Sequence, residues 1–214
     1  MNQNSSIVVS FMGVDGSGKS TLIELLRKKL KNKFRKIRYI HLRPYLILLD
    51  KSTVQSNPHN SKATWPILLN FFRILYWLII YRFFFHLFAN NSKQLIIFDR
   101  YAHDLMIDRT RYKFNLPNRI TKFILNLFPN PSLWIVLNAP IKVLEKRKKE
   151  LPTKELKKQI RSYLNFAKQR KNSIVVSTNN SVKSSLSLII KKINSFNQDY
   201  KSNSMRKFMS LEKD

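Results

Sequence analysis

Glycine is nearly absent from this chain. Average usage of about 7% would give a protein of this size roughly 15, yet its 214 residues contain three, Gly13, Gly16 and Gly18. All three fall within six residues. Glycine takes left-handed backbone and close backbone approach at no steric cost, so something at 13–18 needs backbone with no side chain in the way. The 20 asparagines tolerate left-handed backbone next best and can serve ordinary turns, such as Asn90-Asn91 and Asn179-Asn180. Cysteine is missing altogether, which excludes a disulfide framework and a thiolate zinc site. The four histidines, His41, His59, His86 and His103, show no metal-ligand spacing. The first residues, MNQNSSIVVSF, lack the basic region and apolar stretch of a signal peptide. The expected location is cytoplasmic.

Acidic residues are scarce as well. Forty Lys+Arg against 12 Asp+Glu give a net charge of +28, a value that suits nucleic acid or an anionic membrane surface. The distribution argues for something more general. Basic residues run through most of the chain, and the one dense block, Arg27 to Arg38, reads as the solvated face of a helix and its sequel. The expectation is polyanionic small ligands and no specific nucleic-acid partner. With 43% hydrophobic and 12% aromatic residues the chain has enough apolar matter for a core and is not a disordered one.

Short apolar runs alternate with helical stretches. Ile7–Met12, Ile37–Leu42, Leu95–Phe98, Leu133–Leu137 and Ile174–Val176 read as strands, and Ser20–Lys33 and 182–196 as helices. That alternation predicts an α/β fold, a five-stranded parallel sheet covered on both faces. One domain over 1–196 is expected, with 197–214 as a polar, flexible tail. The segment Trp65–Ala89 is apolar nearly all round but carries Asn70, Arg73, Arg82 and His86. Its longest uncharged stretch, Ile74–Tyr81, is far below the ~20 residues of a spanning helix. A helix of this kind is expected to be buried on several sides, in the core and against a second subunit. Peripheral membrane contact with snorkelling arginines is the alternative.

The three glycines belong to Gly13-Val14-Asp15-Gly16-Ser17-Gly18-Lys19-Ser20-Thr21, which fits G-x-x-x-x-G-K-[ST] between a strand and a helix. In such a loop successive N–H groups curl around phosphate oxygens and the helix N-terminus adds its positive end. Lys19 is expected at the β/γ-phosphates and the Ser20 hydroxyl at Mg²⁺. No N-K-x-D guanine-reading motif is present, and the chain is short for a transporter or motor ATPase.

Beyond the loop, the chain resembles the thymidylate kinases and their relatives among nucleoside monophosphate kinases. The resemblance rests on FMGVDGSGKST (11–21), LRP (42–44), IIFDRY (96–101), PSLWIVLNAP (131–140) with KRKKE (146–150), and VVSTNNSV (175–182). It implies a P-loop kinase three-layer sandwich with a lid at about 145–158, ATP and Mg²⁺ as cofactors, and a homodimer through apolar helices, here 65–89. It implies that Asp15 contacts the acceptor, that Arg43 and Arg100 hold the acceptor's phosphate, and that Asp99 holds Mg²⁺ through water. Arg147 then falls in the lid as the catalytic arginine, since Gly16 and Ser17 stand where another branch has one.

The sequence departs from the family where the acceptor is read. Met12 stands in place of a usual glutamate, and Tyr101–Tyr112 carries Asp104, Asp108, Arg109 and Arg111 in place of a serine and a Tyr-Gln pair. The acceptor is therefore open: a nucleoside monophosphate such as dTMP, or a sugar-type molecule. If it is an alcohol, a carboxylate must take its proton, and Asp15, Asp99 and Asp104 are the candidates. Asp104 reads equally well as an ion-pairing or helix-capping residue. The alternative to an enzyme is a nucleotide-binding partner of membranes or polyanions that has lost its acceptor site.

Overall fold

The computed structural model describes residues 6–41, 66–89, 94–147, 151–179 and 181–211. In chain order the elements are β1 (Ile7–Met12), α1 (Lys19–Leu30), β2 (Lys36–His41), α2 (Ile67–Ala89), β3 (Gln94–Asp99), α3 (Asp104–Ile107), α4 (Asn118–Asn126), β4 (Leu133–Asn138), α5 (Ile141–Arg147), α6 (Thr153–Lys168), β5 (Ser173–Ser177) and α7 (Val182–Leu211). The five strands form one parallel sheet in the order β2-β3-β1-β4-β5. This is the α/β sandwich expected of a P-loop kinase.

Strand alternation divides the core in two. Val8, Met12, Ile96, Phe98, Trp134 and Val136 point to one face and pack under α2, α4 and α6. Ile7, Val9, Phe11, Leu95, Ile97, Leu133, Ile135 and Leu137 point to the other, against α1 and α7. Side chains two apart share a face, and every residue of β1 and β3 is buried, so these strands read as continuous apolar runs. The chain leaves β1 toward β2 and β3, then crosses to β4 and β5 on its other side. Ligands of open parallel sheets bind at the carboxyl ends of strands where the order reverses in this way, and the glycine loop lies there.

Helix α2 departs from expectation. It buries one line of side chains, Asn70, Ile74, Trp77 and Tyr81, rather than several faces. Tyr81 stacks on Phe98 at 5.2 Å and meets Tyr101 edge-on at 4.8 Å. A second stripe, Leu68, Phe72, Tyr76, Ile79, Phe83 and Leu87, remains exposed, with Ile79 at 67%. Arg73 and Arg82 flank this stripe and donate to the carbonyls of Tyr112 and Leu127, at 2.8 and 3.1 Å. A helix apolar on all sides offers no contrast between inward and outward faces, so its burial could not be read from periodicity. Ile67–Phe88 has the length and mean hydropathy, 1.6, of a membrane-crossing helix by composition alone. Helix α7 also runs past the expected end at 196, to Leu211. Nothing between 182 and 211 stops it, since that stretch has neither glycine nor proline.

Candidate functional site

All three glycines of the chain hold left-handed backbone: φ is 141° at Gly13, 77° at Gly16 and 89° at Gly18. A Cβ on Gly13 would lie 2.7 Å from the backbone oxygen of Leu137 on β4. Gly18 is the N-cap of α1, with no side chain capping it and no acidic residue in the first turn. The positive end of the helix is therefore open to an anion. Ser17 is buried under the loop, whereas Ser20 and Thr21 are exposed. The loop has the form of a phosphate cradle, and it leaves backbone room where side chains would fill the space.

The Lys19 ammonium is turned into the loop. Its Nζ donates to the carbonyls of Gly13 and Val14, both at 2.8 Å, and to Ser17 Oγ at 3.4 Å. Burial, and then the nearby Arg100 charge, bring its pKa down to about 7 against the pull of Asp15, Asp99 and Asp104. Arg147, the last residue of α5, reaches across from the other side and donates to the Gly16 carbonyl at 3.2 Å. Arg147 and the glycine loop are thus in contact.

Beside the loop lies a buried ionic network centred on Arg100. This residue follows β3 in left-handed backbone, φ 71°, with its N–H donating to Phe11 O at 2.9 Å. Non-glycine residues held there store strain and are found where function fixes them. The guanidinium, only 3% exposed, bridges Asp15 Oδ1 and Asp104 Oδ2, each at 2.5 Å. Asp104 is completely buried; Tyr112 donates to its Oδ2 at 3.0 Å and Tyr163 to its Oδ1 at 2.6 Å. Arg111 closes the network by bonding Asp15 Oδ2. Burial works to raise the Asp15 pKa, but the Arg100 and Arg111 guanidiniums outweigh it and hold the carboxyl well below the usual range.

Asp99 ends β3 beside the loop, paired in register with Phe11 of β1, and accepts a hydrogen bond from the Tyr39 hydroxyl at 3.0 Å. Burial and the Asp99 charge push that phenol up to about 12. Among the described residues no cluster of three His, Cys, Asp or Glu could cage a metal. One hydroxyl, Ser20, and one carboxylate, Asp99, next to a phosphate cradle fit Mg²⁺, which takes few protein ligands and completes its shell with phosphates and water.

The structure brings together Asp15, Lys19, Asp99, Arg100 and Asp104, and sets Arg147 over the loop. It turns Arg100 and Asp104 toward each other rather than toward solvent. Arg43 lies outside the described residues. Arg111, Tyr112, Tyr163 and Tyr39 join the site without having been singled out as site residues. Arg111 had a signal, since it stands in the run that departs from the family pattern. Tyr163 had none, for it occupies one more position on the buried face of α6.

The KAP family P-loop domain matches residues 1–211 of this chain. No curated protein matches it by sequence. Among solved structures it is similar to the thymidylate kinase of Candida albicans, with a TM-score of 0.61 and 16% identity over 92% of this chain and 94% of that one. It is also similar to the thymidylate kinase of Ehrlichia chaffeensis, at 0.57 and 14% over 88% and 99%. The deoxyadenosine kinase of M. mycoides gives 0.52 and 18% over 89% and 100%. At such identities these likenesses establish the fold, a P-loop nucleotide kinase-like one.

Proposed function

The chain belongs to the KAP family of P-loop domains, and from there we propose an ATP-dependent phosphotransferase similar to the thymidylate kinases. Its acceptor is a small molecule that presents a phosphate, as a nucleoside monophosphate does. The observation that carries this reading is the fate of the three candidate bases. Asp15 stays bonded to the buried Arg100, and the guanidinium charges around it hold its carboxyl well below the usual range, which makes it a weak base. Asp104 is wholly buried, with both oxygens engaged. Asp99 accepts the Tyr39 hydroxyl and is the carboxylate we assign to Mg²⁺. None is free to deprotonate an alcohol, whereas a phosphate oxygen is already anionic and needs no base.

The chemistry is then positioning and charge stabilisation. The loop N–H groups and the α1 N-terminus hold the donor's phosphates. Lys19 exchanges its loop carbonyls for the β/γ-oxygens, where its charge is compensated. Arg147, already at Gly16, is within reach of the transferring phosphoryl. Mg²⁺, when bound, supplies charge neutralisation at the same oxygens, with Ser20 and Asp99 to hold it. Aspartates and arginines in place of the family's base readers argue against thymine recognition, so dTMP is one member of the class tested and not its expected best. The test is ADP release from ATP–Mg²⁺ with a panel of phosphomonoesters and unphosphorylated nucleosides and sugars. The account expects release with a phosphomonoester and its loss in Lys19→Ala; release unaffected by that substitution would sink it.

The exposed stripe of α2 supports a homodimer through this helix. Sedimentation equilibrium is expected to give a dimer, and Ile79→Glu a monomer. A wild-type monomer that floats with anionic vesicles would assign the stripe to a membrane surface instead.

A further inference from the structure

We propose that Arg111, rather than Arg100, meets the acceptor's phosphate, exchanging its Asp15 carboxylate for it while Arg100 stays fixed as a positioning residue. The inference rests on the phosphate-acceptor reading above and names the residue that would read that phosphate.

The two arginines share one carboxylate but differ in everything else. The Arg100 side chain is 3% exposed and is tied at both ends, to Asp15 and to Asp104, with Tyr163 OH a further 3.2 Å from Nη1. Moving it to a ligand would leave Asp104 without a counter-charge in the core, and unpairing a buried charge is strongly unfavourable. Arg111 is 18% exposed, and the carboxylate that its side chain bonds, Asp15, is itself 17% exposed. Swinging outward costs it a single contact at the mouth of the site, and Asp15 remains paired with Arg100. The backbone of Arg111 is held meanwhile, its N–H donating to Asp108 Oδ1 at 3.3 Å, so the guanidinium pivots from a fixed turn. A planar guanidinium offers two parallel donors to a phosphate. Arg109, two residues earlier, faces away: it donates to Leu116 O at 2.8 Å and Asn118 Oδ1 at 2.5 Å.

The test needs no knowledge of the acceptor. Adenosine 5′-pentaphosphate occupies the donor site as ATP does and carries its terminal phosphates onward to where an acceptor phosphate would sit. The quantity read is the ratio of the dissociation constants of ATP and the pentaphosphate, by calorimetry with Mg²⁺ in moderate salt. The wild type is expected to prefer the pentaphosphate. Arg111→Ala is expected to lower that ratio by about 10- to 100-fold, the loss of a charge-assisted contact; dividing by the ATP constant removes any general weakening of the loop from the lost Asp15 pair. Arg111→Lys should restore part of it. Arg109→Ala, which removes an equal charge close by, should leave it within about twofold, as a purely local contact requires. An unchanged ratio in Arg111→Ala, or an equal fall in Arg109→Ala, would overturn the assignment while leaving the kinase reading intact. A wild type that binds ATP but shows no preference for the pentaphosphate would overturn the phosphate-acceptor reading, and the role of Arg111 with it.

Discussion

Replacing Asp104 by alanine tests whether this carboxylate holds the site together or acts in it. The residue is fully buried, and its two oxygens accept from Arg100, Tyr112 and Tyr163. Without it the buried Arg100 guanidinium keeps Asp15 as its counter-charge, which Arg111 also occupies. Two arginines would then share one carboxylate, and one of them is almost wholly buried. Removing one partner of a buried ion pair costs about 3–5 kcal/mol. Against a total of about 5–15 kcal/mol for an ordinary domain, that is a large share. Tyr112→Phe and Tyr163→Phe, which each remove one hydrogen bond to the same carboxylate, should cost about 1.5–3 kcal/mol apiece, Tyr163→Phe the more because its hydroxyl also accepts from Arg100. Urea unfolding at neutral pH gives all three values on one scale, and repeating it with saturating ATP–Mg²⁺ separates stability from binding. If Asp104 were instead a base that touches substrate, Asp104→Ala would lose turnover and keep its stability. A loss below about 1 kcal/mol would refute the structural role.

Three further outcomes follow from the same geometry. His103 is buried among Tyr101, Trp134 and Phe166, and burial, with Arg170 nearby, lowers its pKa to about 3. Below pH 6.5 the unfolded chain takes a proton the folded one refuses, so stability is lost as pH falls, by about 1.4 kcal/mol at pH 5.5; His103→Phe should remove that part of the slope in urea titrations. Burial lowers the Lys19 pKa to about 7 in the free protein, and phosphates restore its charge, so ATP binding should take up protons at pH 8, read from binding enthalpies in buffers of different ionisation heat, and no uptake would contradict this. Gly13→Ala would place a methyl 2.7 Å from Leu137 O at a φ of 141°, so ATP affinity should fall by at least about tenfold, with about 1–3 kcal/mol lost from the fold; wild-type affinity would show that the loop has more room than its backbone implies.

The sheet and the loop were legible in the sequence because both impose strong local demands. Five short β-rich runs gave five parallel strands within a residue or so at each described end, and the glycines marked the only described residues with positive φ apart from Arg100 and Lys113. The order of strands was not legible, since it depends on which runs pair in space. The buried face of α2 was hidden by its uniform apolarity. The partners of Asp99 and Arg100 were not legible either: adjacent in sequence, they turn to different groups, Tyr39 and the Asp15–Asp104 pair. Those partners come from β2, the loop and α3, up to 85 residues away along the chain in the case of Asp15. No local pattern announces a contact of that range.

The phosphate-acceptor claim stands or falls on the bond that is made. Wild-type protein with ATP–Mg²⁺ and the phosphomonoester that releases ADP can be followed by ³¹P NMR. The account predicts a new phosphoanhydride, with the acceptor's own phosphate resonance lost in step and no product in Lys19→Ala. A new phosphomonoester resonance, the mark of an alcohol acceptor, would contradict it.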